Sequence, residues 1–172
     1  LDYKNTTALS LANPTPSQVA TKSISGNTNS ITISGDYAYI GRTSQDGIAV
    51  VDISDPTNPG TPVYESTTED VLGITIKDNY AYAAARGSGL AIIDISDPTN
   101  PGTPIYKDTD DGLAYDLALK GNYAYVAAGS KGLAVIDISN PTNPGTPVYR
   151  DTNGEANGVT INGNYAYVAD NT

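Results

Sequence analysis

The sequence predicts an all-β protein built from repeated four-stranded antiparallel sheets, and three observations lead to this prediction. The tripeptide Tyr-Ala-Tyr begins at Tyr37, Tyr80, Tyr123 and Tyr165, with spacings of 43, 43 and 42 residues. The stretch Pro-Thr-Asn-Pro-Gly-Thr-Pro occurs three times, and turn residues separate short apolar runs throughout the chain. A period near 42 residues without a helical pattern is typical of a β-propeller blade, whose four strands and turns need about that length.

The unit 72–109 shows the four strands in order. Residues 72–77 (LGITIK) alternate in polarity, and 80–85 (YAYAAA) place both tyrosines on one face, because side chains alternate along a strand. Residues 90–96 (LAIIDIS) are nearly continuous in apolar side chains, as expected of a strand covered on both faces. Residues 103–107 (TPIYK) are more polar. We call these strands a to d, from innermost to outermost.

Proline positions set the register of the less regular N-terminus. All eleven prolines fall in the predicted loops between strands c and d, which is reasonable because proline cannot donate to a sheet ladder. Pro14 and Pro16 mark a degenerate copy of this loop. We therefore interpret 7–12 as a strand c and 18–23 as a strand d.

The two ends of the chain each supply half a blade. At the C-terminus, 158–162 and 165–169 have the pattern of strands a and b, and the sequence then stops. The prediction is a single domain, 1–172, with three complete blades and one split blade. The complete blades are approximately 29–67, 72–109 and 114–152, and the split blade pairs 7–25 with 157–172.

Split blades close propellers, because the two ends pair and remove the open edges. One chain could close a four-bladed ring that turns about 90° per blade, or two chains could share both split blades in an eight-bladed ring that turns about 45° per blade. Small side chains let sheets approach closely and favour the wider ring, from two chains or from a longer parent chain. The small residues on the predicted strands include Ala38, Ala81, Ala83, Ala91, Ala124, Ala127 and Ala134.

The strand-c segments 89–98 (GLAIIDISDP) and 132–141 (GLAVIDISNP) resemble the LVIVD repeat, and so does 47–56. This resemblance covers almost the whole chain and implies a bacterial or archaeal β-propeller of the secreted or cell-surface type. It implies no catalytic set, because the repeated residues of that family are structural. Its members usually carry more blades in one chain than are found here.

Composition excludes several functions. The formal net charge of −10 disfavours nucleic acid and anionic membrane surfaces, and no apolar run reaches the roughly 20 residues that cross a bilayer. Without His and Cys, the usual general base and thiol nucleophile are absent, so we expect no enzyme. A carboxylate pair that hydrolyses glycosides is a remote alternative. The chain begins at Leu1, which points to a removed leader or to a piece of something longer.

Several repeated side chains have a structural interpretation beside a functional one. A residue that recurs in every blade is more simply explained by the fold than by an active site, which breaks the symmetry of a fold. We expect the strand-b tyrosines to pack in the core rather than bind a ligand. The strand-c carboxylates (Asp52, Asp94, Asp137) should accept hydrogen bonds where the strand enters its loop, and the residues before proline (Asp55, Asp97, Asn140) should form Asx turns.

The loops that join strand d to the next strand a differ among blades and share one face with the b–c loops, so they are the better place for function. Clustered carboxylates at Asp108, Asp110 and Asp111 could bind Ca²⁺, although the pattern of a known calcium loop is incomplete. The alternative is a solvated acidic rim. The predicted binding-face residues are Arg42, Glu69, Asp70, Arg86, Asp110, Asp111, Lys131, Asn153 and Glu155.

The sequence therefore predicts a non-enzymatic secreted or cell-surface propeller that serves as a binding or adhesion module for a glycan or protein ligand. It needs no cofactor beyond the Ca²⁺ just considered. The alternative is a structural assembly unit, a homo-oligomer or part of a longer parent chain, that closes or polymerises through its split terminal blades. Neither nucleic acid nor membrane insertion is expected.

Overall fold

The computed structural model describes residues 6–10, 17–45, 47–110 and 112–171, with side chains from Val19 onward. This part of the chain contains sixteen strands and no helix. It accordingly offers no helix that could cross a membrane. The strands are β1 (Thr6–Ser10), β2 (Ser17–Thr21), β3 (Asn27–Ser34), β4 (Tyr37–Thr43), β5 (Gly47–Asp52), β6 (Val63–Glu65), β7 (Gly73–Lys77), β8 (Tyr80–Ala84), β9 (Leu90–Asp94), β10 (Ile105–Lys107), β11 (Asp116–Lys120), β12 (Tyr123–Ala127), β13 (Leu133–Asp137), β14 (Val148–Arg150), β15 (Glu155–Asn162) and β16 (Tyr165–Asn171).

These strands form three complete blades and two half-blades. Strands β3 to β6, β7 to β10 and β11 to β14 are three four-stranded antiparallel sheets, each paired in chain order. The two-stranded sheets β1–β2 and β15–β16 stand at the ends, as predicted. The prediction of an all-β partial propeller is confirmed. The observed strand ends differ from the predicted ones by one to three residues, most of all at β15, which begins at Glu155 rather than at residue 158.

Tight turns join strands a and b in every blade. Tyr80 pairs with Lys77 across one such turn, so only two residues, Asp78 and Asn79, connect the strands. Two-residue hairpins favour a backbone with positive φ at the first central position. Gly35, Gly121 and Gly163 occupy that position in the other turns with φ of 55 to 56°, and Asp78 adopts φ 54°.

Strand a of each blade is the innermost strand. β3 contacts β7, β7 contacts β11, and β11 contacts β15, so the first strands of successive sheets lie next to one another. This arrangement stacks the sheets face against face around a common axis, as in a propeller.

The core lies between successive blades. Tyr39 of the first blade packs with Ile74 of the second, and Tyr82 of the second packs with Leu117 of the third. Alanines such as Ala83 and Ala91 fill the same layers and are fully buried. Each sheet therefore buries its apolar face against its neighbour rather than within itself.

The two half-blades are separate sheets and do not complete each other within one chain. Strand β16 pairs with β15, and strand β1 pairs with β2. The described chain is thus an open arc, and the one-chain, four-bladed ring is not the state that it adopts here.

Candidate functional site

The strand-c carboxylates are structural, as expected. Asp52 Oδ1 accepts a hydrogen bond from the Ser54 backbone N at 2.8 Å, and Asp94 and Ser96 repeat the contact at 2.8 Å. The hydroxyl and the amide of Ser54 hold the pKa of Asp52 below its ordinary value, because they stabilise the charged form. These side chains hold the strand–loop junction.

The residues before proline form the predicted Asx turns. Asp55 Oδ1 accepts from the backbone N of Thr57 at 2.9 Å and from its hydroxyl at 2.6 Å. Asn140 makes the same pair of contacts with Thr142 at 3.2 and 2.8 Å. The pattern is therefore a loop-stiffening device.

The strand-b tyrosines of the complete first and second blades are core residues. Tyr82 is 1% exposed. Burial, with the nearby charge of Asp78, raises its pKa to about 12. Tyr39 is also buried, and burial raises its pKa. These rings pack between blades and are not available to a ligand.

The d–a and b–c loops share one face, as predicted. Asp70 lies in the loop before β7, and its Oδ1 accepts from the backbone N of Ser44 in the β4–β5 loop at 2.9 Å. Its Oδ2 lies 3.5 Å from Arg86 Nη1 in the β8–β9 loop. Two predicted binding-face residues, Asp70 and Arg86, are thus brought together as an ion pair on the surface.

Arg42 has a different environment from the other predicted cations. It lies near the end of β4 and is only 4% exposed. Its Nη1 donates to the Ser25 carbonyl at 3.2 Å, and its guanidinium stacks 4.6 Å from the centre of the Tyr64 ring. Arg42 therefore lies beneath the loop face and supports it through hydrogen bonding and cation–π contact.

The remaining predicted binding-face residues are at the surface. Glu69 lies near Gly87 of the next blade, and Lys131 lies against Gly112. Asp111 lies outside the described residues. The other exposed members are Asp110, Asn153 and Glu155. Their role in binding stays a prediction.

The carboxylates of the predicted Ca²⁺ site have local partners. Asp108 Oδ1 accepts from the Asp110 backbone N at 2.9 Å, which closes an Asx turn. Asp151 and Asn153 repeat this turn at 2.9 Å in the next loop. Within the described ranges, which omit Asp111, no three acidic side chains are grouped as metal ligands. Ca²⁺ binding at this loop stays a prediction.

Sequence reasoning missed a third set of tyrosines, on strand d. The hydroxyl of Tyr64 accepts from the Ser25 backbone N at 3.1 Å, and that of Tyr106 accepts from the Thr68 backbone N at 3.0 Å. In each pair, a strand-d hydroxyl supports the loop that precedes its own blade. Their spacing of 42 and 43 residues, through Tyr149, was the available signal.

Tyr149 occupies the same position beside the acidic loop. Burial raises the pKa of its hydroxyl, and the neighbouring carboxylates of Asp110 and Asp108 raise it further. The acidic loop thus lies directly against the third blade.

Lysines at the end of strand a join neighbouring blades, which sequence reasoning also missed. Lys77 Nζ donates to the Gly121 carbonyl at 2.8 Å, and Lys120 Nζ donates to the Gly163 carbonyl and to Asn164 Oδ1. Each lysine therefore holds the a–b turn of the next blade.

The ends of the arc expose apolar side chains whose counterparts at the first two interfaces are buried or partly buried, and inside the arc Tyr123 is also 45% exposed. Tyr165 and Tyr167 on β16 are 71% and 54% exposed, and Ile31 and Ile33 on β3 are 55% and 63% exposed. Ile74, which occupies the position of Ile31 in the second blade, is 8% exposed. The side chains at the Tyr167 and Ile31 positions therefore differ in burial between the ends and the first two interfaces.

A groove runs along the exposed face of the last half-blade. It has a volume of about 430 Å³ and is lined by β15, β16 and Asp116. Asp116 Oδ2 accepts from the Val159 backbone N at 3.0 Å and so attaches this half-blade to the third blade.

Comparison with known proteins identifies the repeat. The LVIVD repeat matches residues 25–62, 70–105, 111–148 and 153–172, which together make up most of the chain. The chain belongs to the LVIVD repeat family. The resemblance of the strand-c segments is thereby confirmed.

Two solved structures resemble the fold, and both are computationally designed proteins. The Ika4 protein aligns with a TM-score of 0.67 and 17% identity over 87% of this chain and 88% of that chain. The Ika8 protein aligns with a TM-score of 0.65 and 17% identity over 87% of this chain and 44% of that chain. At this identity the similarity shows the fold, a partial propeller. No curated protein matches the LVIVD-repeat chain.

Proposed function

We propose that this LVIVD-repeat protein is a non-enzymatic structural assembly unit of the cell exterior, joined to its neighbours through its split blades. The observation that carries the proposal is the exposure of Tyr167 at one end and Ile33 at the other, at positions that are shielded inside the arc. An apolar face of this kind is stabilised when another sheet covers it.

Open sheet edges support the same function. β16 is the last strand of a two-stranded sheet, so one row of its backbone groups faces no further strand among the described residues. Such an edge is a template for pairing with another chain. Association would add strands to both half-blades and would bury the end faces in the same step.

The mass of the particle in solution tests this function. Light scattering should give a mass above the 17.8 kDa of one chain at micromolar concentration. Hydrogen exchange should then show slow amides in β16, as in β8. A particle of one chain with fast exchange in β16 would contradict the assembly function, and a particle of one chain with slow exchange there would instead indicate a self-closed ring.

A second candidate function is binding or adhesion through the loop face. It is supported by the contact of Asp70 with both Ser44 and Arg86, which gathers three loops from two blades into one surface. The loops vary while the scaffold repeats, and varied loops on a rigid scaffold are a common site of recognition. The ligand would be a glycan or a protein.

A ligand panel tests the binding function. Glycan arrays and peptide libraries, each with and without Ca²⁺, should yield a ligand whose affinity falls at least about 10-fold in the Arg86→Ala variant. Lys107→Ala, on the outermost strand β10, is the matched control. Equal loss in both variants, or no ligand at all, would contradict the assignment of binding to this face.

A further inference from the structure

We infer that each half-blade is completed by a second copy of this chain, in a closed head-to-tail ring of two chains. Tyr165 and Tyr167 of one copy pack on Ile31 and Ile33 of the other, at both junctions. The inference rests on the proposed assembly function and names its partner and its contact residues.

The first two interfaces inside the arc show the side-chain packing that the two end faces would repeat. At the first interface, Tyr37 and Tyr39 on strand b pack with Ile74 and Ile76 on strand a of the next blade. At the second, the same roles belong to Tyr80 and Tyr82 on β8 and to Leu117 and Leu119 on β11. Each of these two interfaces therefore joins two tyrosines, two residues apart, to two aliphatic residues with the same spacing. At the third interface only the second tyrosine is packed, since Tyr125 lies with Val159 and Tyr123 is 45% exposed.

The last half-blade repeats the tyrosine side of this rule. Tyr167 is paired with Thr160 in the ladder, as Tyr82 is paired with Thr75. Tyr165 and Tyr167 therefore project from the same face of their sheet as Tyr80 and Tyr82 do. That face has no sheet against it in the described chain, since Tyr165 and Tyr167 are both more than half exposed.

The first blade repeats the aliphatic side. Ile31 and Ile33 precede Ile74 and Ile76 by 43 residues, and they hold the same ladder positions in β3, opposite Ile40 and Ala38. Tyrosines lie at one end of the arc and aliphatic residues at the other. The two ends are complementary to each other and not to themselves, so the contact between copies must be head to tail.

The pattern of burial on the first blade indicates which element is missing. Its rear face is covered over strands b and c, where Ala38, Ile40, Ala49 and Val51 are at most 4% exposed and Ile24 packs against them. It is open only over strand a. The missing cover is therefore an inner a–b pair of strands that carries large side chains, and β15–β16 is such a pair.

The end face of the last half-blade is polar beside its two tyrosines, and its carboxylates lie at one end, where Asp116 lines the groove and Glu155 pairs with Asn171. On β15 it presents Gly158, Thr160 and Asn162 beside the two tyrosines. Lys77 and Lys120 hold the position of Asn162 in the inner blades. Two chains of net charge −10 repel each other at long range, so association should strengthen as salt screens the charges.

A second copy fits the split blades better than self-closure. In one chain β1–β2 and β15–β16 remain separate sheets, which leaves the arc open. Successive sheets approach each other closely at small residues, and close approach favours a small rotation from one blade to the next. At Gly73 an added Cβ would lie only 3.1 Å from Asp116 Oδ1 of the next blade. Two arcs that share both split blades give eight blades at about 45° each and leave no open edge.

Mass measurements on the full chain and its end variants test the inference. The wild-type protein should have twice the 17.8 kDa mass of one chain. Ile33→Asp and Tyr167→Asp should each weaken association at least about 100-fold, because each buries a carboxylate in an apolar contact. Val148→Asp is the matched control: Val148 is 58% exposed on β14, the last strand of the third blade, so this variant should keep the wild-type mass. Circular dichroism should show native sheet in all three variants.

Mixing the two end variants distinguishes head-to-tail contact from other arrangements. Each variant alone lacks one member of every contact and should run as a single chain. An equimolar mixture restores one intact contact, between Tyr167 of the Ile33→Asp chain and Ile33 of the Tyr167→Asp chain, and should recover two-chain particles. Association of either variant with itself at wild-type strength would overturn the inference.

The results separate this inference from the proposed function. A wild-type particle of one chain would overturn both. A particle of three or more chains that either end variant disrupts would overturn the two-chain ring and leave assembly through the split blades. A two-chain particle that neither end variant disrupts would overturn the contact inferred here.

Discussion

The interface between the second and third blades and the open ends of the arc use the same residues in the same register, yet their burial differs completely. Tyr82 is fully covered by the third blade, whereas more than half of Tyr167 faces solvent. Leu117 is buried against the second blade, whereas Ile31, at the equivalent position of the first blade, is exposed. The difference comes from the presence or absence of a neighbouring sheet. A blade therefore does not bury its own apolar face, and stability in this fold is a property of adjacent pairs.

The largest difference in the free energy of unfolding is expected between tyrosine variants of the inner interface and of the open end. Tyr82→Ala removes a buried ring between two blades and should lower the free energy of unfolding by about 3–5 kcal/mol. Tyr167→Ala should change the stability of a single chain by less than about 0.5 kcal/mol, because the ring lies at the surface. Urea unfolding monitored by circular dichroism, at a concentration where the particle is a single chain, measures both. Equal losses would mean that Tyr167 is covered within its own chain.

Alanine substitutions at two equivalent glycines should differ in stability by an intermediate amount. A Cβ at Gly73 would lie 3.2 Å from the Asp116 Cα, so Gly73→Ala should force neighbouring inner strands apart and cost about 1–3 kcal/mol. At Gly158 the nearest atom would be the Ala169 Cβ at an ordinary 3.5 Å. Gly158→Ala should therefore be neutral or slightly stabilising in a single chain. Thermal unfolding of both variants checks the pair, and a destabilised Gly158→Ala chain would contradict the open end.

The lysine contacts predict a smaller effect. Lys77→Met removes the hydrogen bond to the Gly121 carbonyl in the next blade and keeps most of the apolar stem. We expect a loss of about 0.5 kcal/mol, since the contact is exposed to solvent. Lys107→Met on the outer strand is the control and should have no measurable effect. A similar loss in both variants would show that the change in charge, and not the contact between blades, is responsible.

The contribution of the strand-c carboxylates to stability should not depend on the neighbouring blades, because the groups that hydrogen-bond to them lie in their own blade. The backbone N and hydroxyl of Ser96 lower the pKa of Asp94 below its ordinary value of 3.8, so this contact stabilises the fold above that pH and is lost as the pH falls further. Asp94→Asn retains an acceptor for the Ser96 amide and does not titrate. Between pH 5 and pH 2.5, the urea midpoint of the Asp94→Asn variant should therefore fall less than the midpoint of the wild-type protein.

Asp36→Asn is the control for this last prediction, since it removes the same charge from an exposed turn. The difference between Asp94→Asn and wild type should be the same in single chains and in assembled particles. A difference that appears only on assembly would contradict a role confined to one blade.

Much of the fold was predictable because the same local sequence pattern recurs in each blade. The Tyr-Ala-Tyr spacing and the proline-rich loops placed the strands of the unit 72–109 and of both half-blades within three residues. The Asx-turn role of Asp55 followed from its position before a proline, since that contact spans two residues. By contrast, Arg42 was predicted to lie on the binding face with Arg86, and only the packing of Tyr64 shows that Arg42 lies beneath it. Contacts between blades, such as Lys77 to Gly121, join residues 44 positions apart and leave no local signal.

The sequence alone determined the blade, its four strands, its turns and the half-blade at each end, because all of these follow from patterns within one period of about 42 residues. Only the tertiary structure decided which copies of a repeated residue are buried and which are exposed. Tyr82 and Tyr167 have the same local sequence, and a strand cannot encode whether another sheet will lie against it. Burial depends on surfaces brought together from different blades, and that is a property of the assembled fold.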